Sequence, residues 1–225
     1  MMRSLRILRW AALGLIALLI VGIGLVEFGS RTGIRLLAGA GTGNAMNAAA
    51  GVMVPPAGVP IGGRFRLIDE HGRAVSDADY HGRWVLVFFG YTNCPDECPL
   101  TLQKMAAALR ALGPLADRIA PLFVTVDPAR DTPGRLASYL ANFDARIVGL
   151  TGSSEQIAEA AKAYRVYYSP AEHEASGADL VGHSTFLYLL DPNGKLNALF
   201  SQDISAEKLA AALRARVSAE RAPAR

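Results

Sequence analysis

Cysteine is nearly absent, with two residues in 225, Cys94 and Cys98. That is too few for a disulfide-stapled small fold, and neither thiol has a partner outside the pair. Charge is sparse as well, 19% of the chain against 51% apolar residues, which excludes a wholly disordered protein and supplies a core. There is no internal repeat and no Gly-rich phosphate loop, because Gly62-Gly63 precedes a strand pattern rather than a helix. The net charge of +3 is confined to one end: Arg3, Arg6, Arg9, Arg31 and Arg35 face only Glu27, leaving 18 basic and 19 acidic residues thereafter. No basic stripe interleaved with aromatics follows, so nucleic acid is set aside as a partner.

What is present begins with one long apolar run. Trp10 to Val26 carries no charge, and three arginines precede it. As a helix it would be roughly 26 Å long, a little short of a bilayer core, with Arg9 able to snorkel. Residues 1–28 therefore read as a single-pass anchor in an inner membrane, with the arginines on the cytoplasmic side and the rest of the chain in the periplasm. A cleaved signal peptide is the competing reading, but Glu27 and Phe28 stand where its small-residue site belongs, and Ala38-Gly39-Ala40 lies far beyond. Residues 29–61, rich in Gly, Ala and Asn and holding Pro55, Pro56 and Pro60, read as a flexible linker in which Met46 and Met53 are spacer residues.

Residues 62–220 carry the folded pattern, and 221–225 a disordered tail. Arg64 to Ile68 and Arg73 to Val75 flank a Gly turn and predict a hairpin. Trp84 to Phe89 and Leu122 to Val126 are continuous apolar runs, the mark of strands covered on both faces. Helical spacing covers Leu100 to Leu112, Pro133 to Phe143 with Asp131 or Thr132 as cap, and a segment opened by Ser153 or Ser154. Ile147 to Leu150 is a short strand, Thr185 to Leu190 and Lys195 to Phe200 form a second hairpin, and a helix from Ser205 to about Val217 closes the chain. Alternating strands and helices followed by a hairpin predict an α/β three-layer sandwich on a mixed sheet.

The cysteines sit in Cys94-Pro95-Asp96-Glu97-Cys98-Pro99, between a buried strand and a helix. Helix N-termini expose unpaired N–H groups and favour thiolates, so both thiol pKa values are expected to be depressed. Three readings fit: a structural staple, thiol-disulfide exchange with an unusual three-residue spacing, and binding of a soft metal such as Cu(I). Spacing alone does not separate the last two; a third ligand would. Of the four histidines, His71 and His81 stand in or beside turns and His173 in a polar loop, all read as solvated. His183 stands immediately before a buried strand, a place more often structural than ligating.

Gly90-Tyr91-Thr92-Asn93-Cys94-Pro95-Asp96-Glu97-Cys98-Pro99, Val124-Thr125-Val126-Asp127-Pro128 through Pro133, and Val181-Gly182-His183-Ser184-Thr185 with Asp191-Pro192-Asn193-Gly194 resemble the SCO/SenC family of copper chaperones, in order, over about residues 60 to 217. The resemblance implies a thioredoxin-like fold and copper, Cu(I) or Cu(II), held by Cys94, Cys98 and His183. It implies delivery of copper to the dinuclear site of cytochrome c oxidase subunit II, exchange with other copper chaperones, and a carrier role rather than enzymatic turnover. The alternative is a dithiol oxidoreductase in which Cys94 and Cys98 are the redox pair, keeping target cysteines reduced. Three ligands with an open side suit ligand exchange, so a shallow site is expected. The family usually carries an acidic residue just before the histidine, where this chain has Gly182. Asp127 and Asp131 match family positions but read as loop and helix-cap residues, since carboxylates are poor Cu(I) ligands, and Asp96 and Glu97 read as exposed charges.

Overall fold

The computed structural model of the chain describes residues 51–53, 61–168 and 186–219. Eight strands form one sheet: β1 (Val52–Met53), β2 (Arg66–Asp69), β3 (Ala74–Ser76), β4 (Trp84–Gly90), β5 (Ile119–Thr125), β6 (Val148–Thr151), β7 (Phe186–Leu190) and β8 (Leu196–Ser201). Among the described residues four α-helices accompany them: α1 (Glu97–Leu112), α2 (Pro133–Leu140), α3 (Ser154–Ala163) and α4 (Ala206–Ala219). The strand order is β1-β8-β7-β4-β5-β6-β2-β3, with β4, β5 and β6 parallel and every other pairing antiparallel. This is the expected mixed sheet.

The reason β4 and β5 sit at its centre is visible in their composition. Every residue of both is buried, which requires cover on each face. α1 supplies Leu102, Met105 and Leu109 to the core, none of them exposed. It is also bound to α4 and the turn before it, with Arg214 Nη2 donating to the Ala111 carbonyl at 2.5 Å and Lys104 Nζ to that of Gln202 at 2.5 Å. α2 packs on β6 so closely that a Cβ on Gly149 would stand 2.7 Å from Leu140 Cδ1 and 3.1 Å from Leu136 Cβ.

Several boundaries move, each for a local reason. β5 starts at Ile119, three residues earlier than its apolar run suggests, and runs through Pro121. Pro121 has no N–H to donate, but β6 joins β5 only from Leu122 onward, so that side of the strand is still an edge there. α2 stops at Leu140 instead of Phe143 because Asn142 Nδ2 takes the carbonyls of Ser138 and Tyr139, at 3.2 and 3.0 Å. α3 is capped by Ser153, whose side chain accepts from Gln156 N while Gln156 Oε1 accepts from Ser153 N.

The expected linker, residues 29–61, is corrected at residues 51–53. There Val52 pairs with Phe200 and Met53 with Leu199, and the Gly51 carbonyl accepts from Ser201 N at 2.9 Å. The edge of β8 offers unpaired backbone groups and an apolar surface that this segment covers, so Met53 is a strand residue and not a spacer. The apolar run Trp10–Val26 and the tail 221–225 lie outside the described residues. Among the described residues, no helix is long and apolar enough to cross a membrane.

Candidate metal centre

β4 ends at Gly90, and six residues later α1 begins with Asp96 at its cap position. The Asp96 side chain makes no capping bond. Instead Cys94 Sγ accepts from the Cys98 backbone N–H at 3.4 Å, so a sulfur occupies the place of a capping oxygen at the positive end of the helix. The loop folds back to allow this, with Cys94 N donating to the Tyr91 carbonyl at 3.3 Å. The helix starts three residues before its apolar periodicity does, which puts Cys98 inside the first turn and Pro99 where its missing N–H costs nothing.

The two sulfurs differ sharply in environment. Cys94 is partly exposed, whereas Cys98 is sealed, 0% exposed. Gly90 makes the second possible: a Cβ there would lie 2.9 Å from Cys98 Sγ and 2.8 Å from Phe123 Cε2. The cysteines are unbridged. The expectation that both thiols are acidified is corrected for Cys98. Its hydrogen bond to Cys94, followed by burial and the nearby charge of Cys94, pushes the thiol far above the ordinary range, and the Tyr91 backbone only partly offsets this. The site is therefore shallow on its Cys94 side only.

A buried carboxylate anchors the loop. Asp131, 0% exposed, accepts from Thr92 N at 3.0 Å, from Thr92 Oγ1 at 2.5 Å and from Thr125 Oγ1 at 2.6 Å. Arg135 Nε donates to Thr92 Oγ1 at 2.7 Å and stands 3.8 Å from Asp131 Oδ1. Asp131 thus ties the cysteine loop to the end of β5, and its expected capping role falls to Thr132, whose Oγ1 accepts from Arg135 N at 3.3 Å. Asp127 is a loop residue as expected, paired to Arg130 Nε and receiving Arg130 N and Asp131 N on its carbonyl. Asp96 and Glu97 are exposed. His71 and His81 are exposed too, 3.6 Å from Glu70 and 3.8 Å from Asp77 respectively.

Known proteins share the sequence and the fold of this chain. The sequence matches the profile of SCO1/SenC over residues 55–218. The chain belongs to the SCO1/SenC family. It is 46% identical over 156 residues to the sco1 protein of Schizosaccharomyces pombe, an alignment covering 68% of this chain and 59% of that protein. Among solved structures, ScoI of Bradyrhizobium japonicum with copper bound is 39% identical, covers 69% of this chain and 98% of that one, and superposes with a TM-score of 0.64. Yeast Sco1 with copper bound is 36% identical, with coverage of 74% and 92% and a TM-score of 0.67. This SCO1/SenC chain spans about three fifths of the length of the curated relatives it matches. The expected thioredoxin-like fold holds.

Of the three expected ligands, the structure brings Cys94 and Cys98 together. His183, its neighbour Gly182, and His173 lie outside the described residues. Among the described residues, no three His, Cys, Asp or Glu side chains converge as a metal site. Sequence reasoning gave no role to Gly90, Thr92, Thr125 or Arg135. For Gly90 a signal existed, since a glycine closing an apolar strand marks a close approach. For Thr92 none did, because its partner Asp131 is 39 residues away.

Proposed function

We propose that this protein is a membrane-tethered copper metallochaperone that holds Cu(I) through Cys94, Cys98 and His183 and serves assembly of the dinuclear copper site of cytochrome c oxidase subunit II. The observation that carries the reading is the pair of unbridged sulfurs at the start of α1, Cys94 in the loop before it and partly exposed, Cys98 in its first turn and buried. Soft thiolates select Cu(I), and two of them leave a place for an imidazole. Chain topology supports His183 as that group. β7 runs antiparallel to β4 with Leu187 paired to Phe88, so the chain enters β7 at the sheet end where β4 gives way to the cysteine loop. His183 precedes β7 by three residues, a span of at most about 10 Å. Copper-bound relatives of the same family support the cargo.

Access through Cys94 suits transfer. An incoming thiolate from a partner meets that ligand first, while Cys98 stays seated behind Gly90. Both cysteines must give up their protons to ligate, so loading releases protons to solvent. Tethering by residues 10–26 would hold the domain at the periplasmic face, beside membrane-bound partners and other copper chaperones. Proteolysis of intact cells and of cells with an opened outer membrane tests this: cleavage only in the second supports a periplasmic domain.

The test of the ligand set is copper stoichiometry under reducing conditions in the full chain and in Cys94→Ser, Cys98→Ser and His183→Ala. One ion per chain in wild type and loss in each variant is expected. Because the sulfurs are adjacent, a dithiol reductase is the second reading. Turnover on a disulfide substrate that survives His183→Ala but not Cys94→Ser, with no copper retained by wild type, would establish it instead.

A further inference from the structure

The Gly62-Gly63 pair belongs to no strand or helix, and the fold uses it for a close approach. Gly62 N donates to the Ala163 carbonyl at 3.0 Å, and at φ +92° a Cβ there would stand 2.8 Å from Leu190 Cδ2. Conformation and space both exclude a side chain. The chain placed in this way borders a cavity of about 210 Å³, whose lining includes Phe65, Asp77, Tyr80, Val85, Tyr164 and Leu190. Gly82 N, donating to the Pro192 carbonyl at 3.0 Å, fastens the 3-10 turn Asp77–Tyr80 to the turn between β7 and β8. The cavity stands at the end of the sheet away from the cysteine loop, since β4 runs from Trp84 to Gly90 and Val85 to Gly90 is about 16 Å of strand.

We propose that this cavity binds a small organic cation, an ammonium group on an apolar or aromatic body the size of a single ring. Phe65, Val85 and Leu190 supply the apolar lining that would take the body. An engineered apolar cavity of about 150 Å³ holds benzene, so the 210 Å³ here leaves room for a ring with one short substituent. The polar groups are few and uncommitted. Tyr164 is 3% exposed, and among the described residues its hydroxyl is neither hydrogen-bonded nor sealed from the cavity that it lines. The Tyr80 hydroxyl makes no hydrogen bond among them either. Hydroxyls held in so covered a place call for a partner.

Charge selects the sign of that partner. Asp77 and Asp191 line the cavity against one exposed guanidinium, Arg64. Asp77 Oδ1 accepts from Phe65 N at 3.2 Å, and Asp191 Oδ1 from Asn193 N and Lys195 N, both at 2.9 Å, so each carboxylate keeps its second oxygen for a ligand. Asp77 Oδ2 lies 3.8 Å from His81 Nε2, too far for a hydrogen bond. Both tyrosines register the negative surroundings. Burial first, then the charges of Asp69, Asp79 and Glu70, push the Tyr80 hydroxyl up to about 12, and burial followed by Asp77 raises that of Tyr164. An ammonium group is drawn to such a field and gains from the aromatic rings of Phe65 and Tyr80, 6.1 Å apart. A bare metal cation would leave the apolar lining unused, and a carboxylate would meet two acids.

Amide NMR spectra of the full chain, reduced and metal-free in detergent, test this with three probes of one shape: benzylamine, benzyl alcohol and benzoate. Benzylamine should give saturable shifts at the amides of Gly63, His81 and Gly194, benzyl alcohol should bind about tenfold more weakly, and benzoate should leave these amides unmoved. Asp77→Asn keeps an acceptor for Phe65 N and removes the charge, so benzylamine should fall to the affinity of benzyl alcohol while the alcohol is unaffected. Tyr164→Phe keeps the ring and removes the hydroxyl, and both probes should weaken several-fold. No saturable shift with any probe, the sign of a cavity that holds water alone, overturns the inference. So does benzylamine binding no tighter than benzyl alcohol, or equally well in Asp77→Asn. If Asp77→Asn does not fold, the order of the three probes in wild type still decides. Copper enters none of these outcomes, so the inference stands or falls apart from the metallochaperone reading.

Discussion

Gly90→Ala is a one-carbon change aimed at the point where fold and site meet. Its Cβ would lie 2.8 Å from Phe123 Cε2, 2.9 Å from Cys98 Sγ and 3.2 Å from Phe88 Cε1. Both rings are 0% exposed and packed at 5.9 Å from each other, so they cannot retreat cheaply. Cys98 must yield. Overpacking of this kind costs about 1–3 kcal/mol, against roughly 0.5–1 kcal/mol recovered because alanine is less flexible than glycine when unfolded. The net loss is about 1–2 kcal/mol, which for a domain of this size lowers the melting temperature by about 2–8 °C. Calorimetry on the reduced protein measures that, and Cu(I) competition measures the displaced sulfur, where a weaker affinity is expected. A melting temperature within a degree of wild type together with unaltered copper affinity would refute the argument that Gly90 seats Cys98.

Three further outcomes follow from the same contacts. Asp131→Asn replaces an acceptor of three hydrogen bonds by a side chain with one acceptor oxygen, and should cost about 1–3 kcal/mol in denaturant unfolding and speed amide exchange at Thr92–Cys94; unchanged exchange would disconnect it from the loop. Asp144 accepts from Arg146 Nε and Nη2, both at 2.8 Å, and that bonding, against a smaller effect of burial, holds its carboxyl below the ordinary 3.8. Its contribution, about 1 kcal/mol with Arg146 part-exposed, is present above pH 4 and disappears as the pH falls below it. The stability difference between wild type and Asp144→Asn should thus be constant near neutrality and shrink in acid; a difference that grows in acid would reverse the sign. Val52→Asp places a charge in the buried β1–β8 contact and should lower the melting temperature, whereas no change would return residues 51–53 to a spacer role.

What could be read from sequence was whatever local pattern determines. The apolar runs at 84–89 and 122–126 announced doubly covered strands because a short continuous apolar run rich in β-branched and aromatic residues suits a strand buried on both faces, and both strands are buried throughout. The pair Cys94 and Cys98 announced itself by standing between strand and helix. What could not be read depends on distant partners. β1 is two residues of strand set by the free edge of β8, with too little periodicity of its own to register. Asp131 looks like a cap from its neighbours and is a tie only through Thr92 and Thr125. The expected acidity of both thiols treated them alike; the helix start at Glu97 gives the helix end to Cys94 and buries Cys98 under Gly90 and Phe123.

The central claim is that two sulfurs and one imidazole share a single monovalent ion. X-ray absorption at the copper edge, on the reduced chain loaded with one equivalent, reports that shell directly. Two sulfur scatterers and one nitrogen in wild type, with the nitrogen gone in His183→Ala, is the predicted result. Identical spectra from both proteins would contradict it.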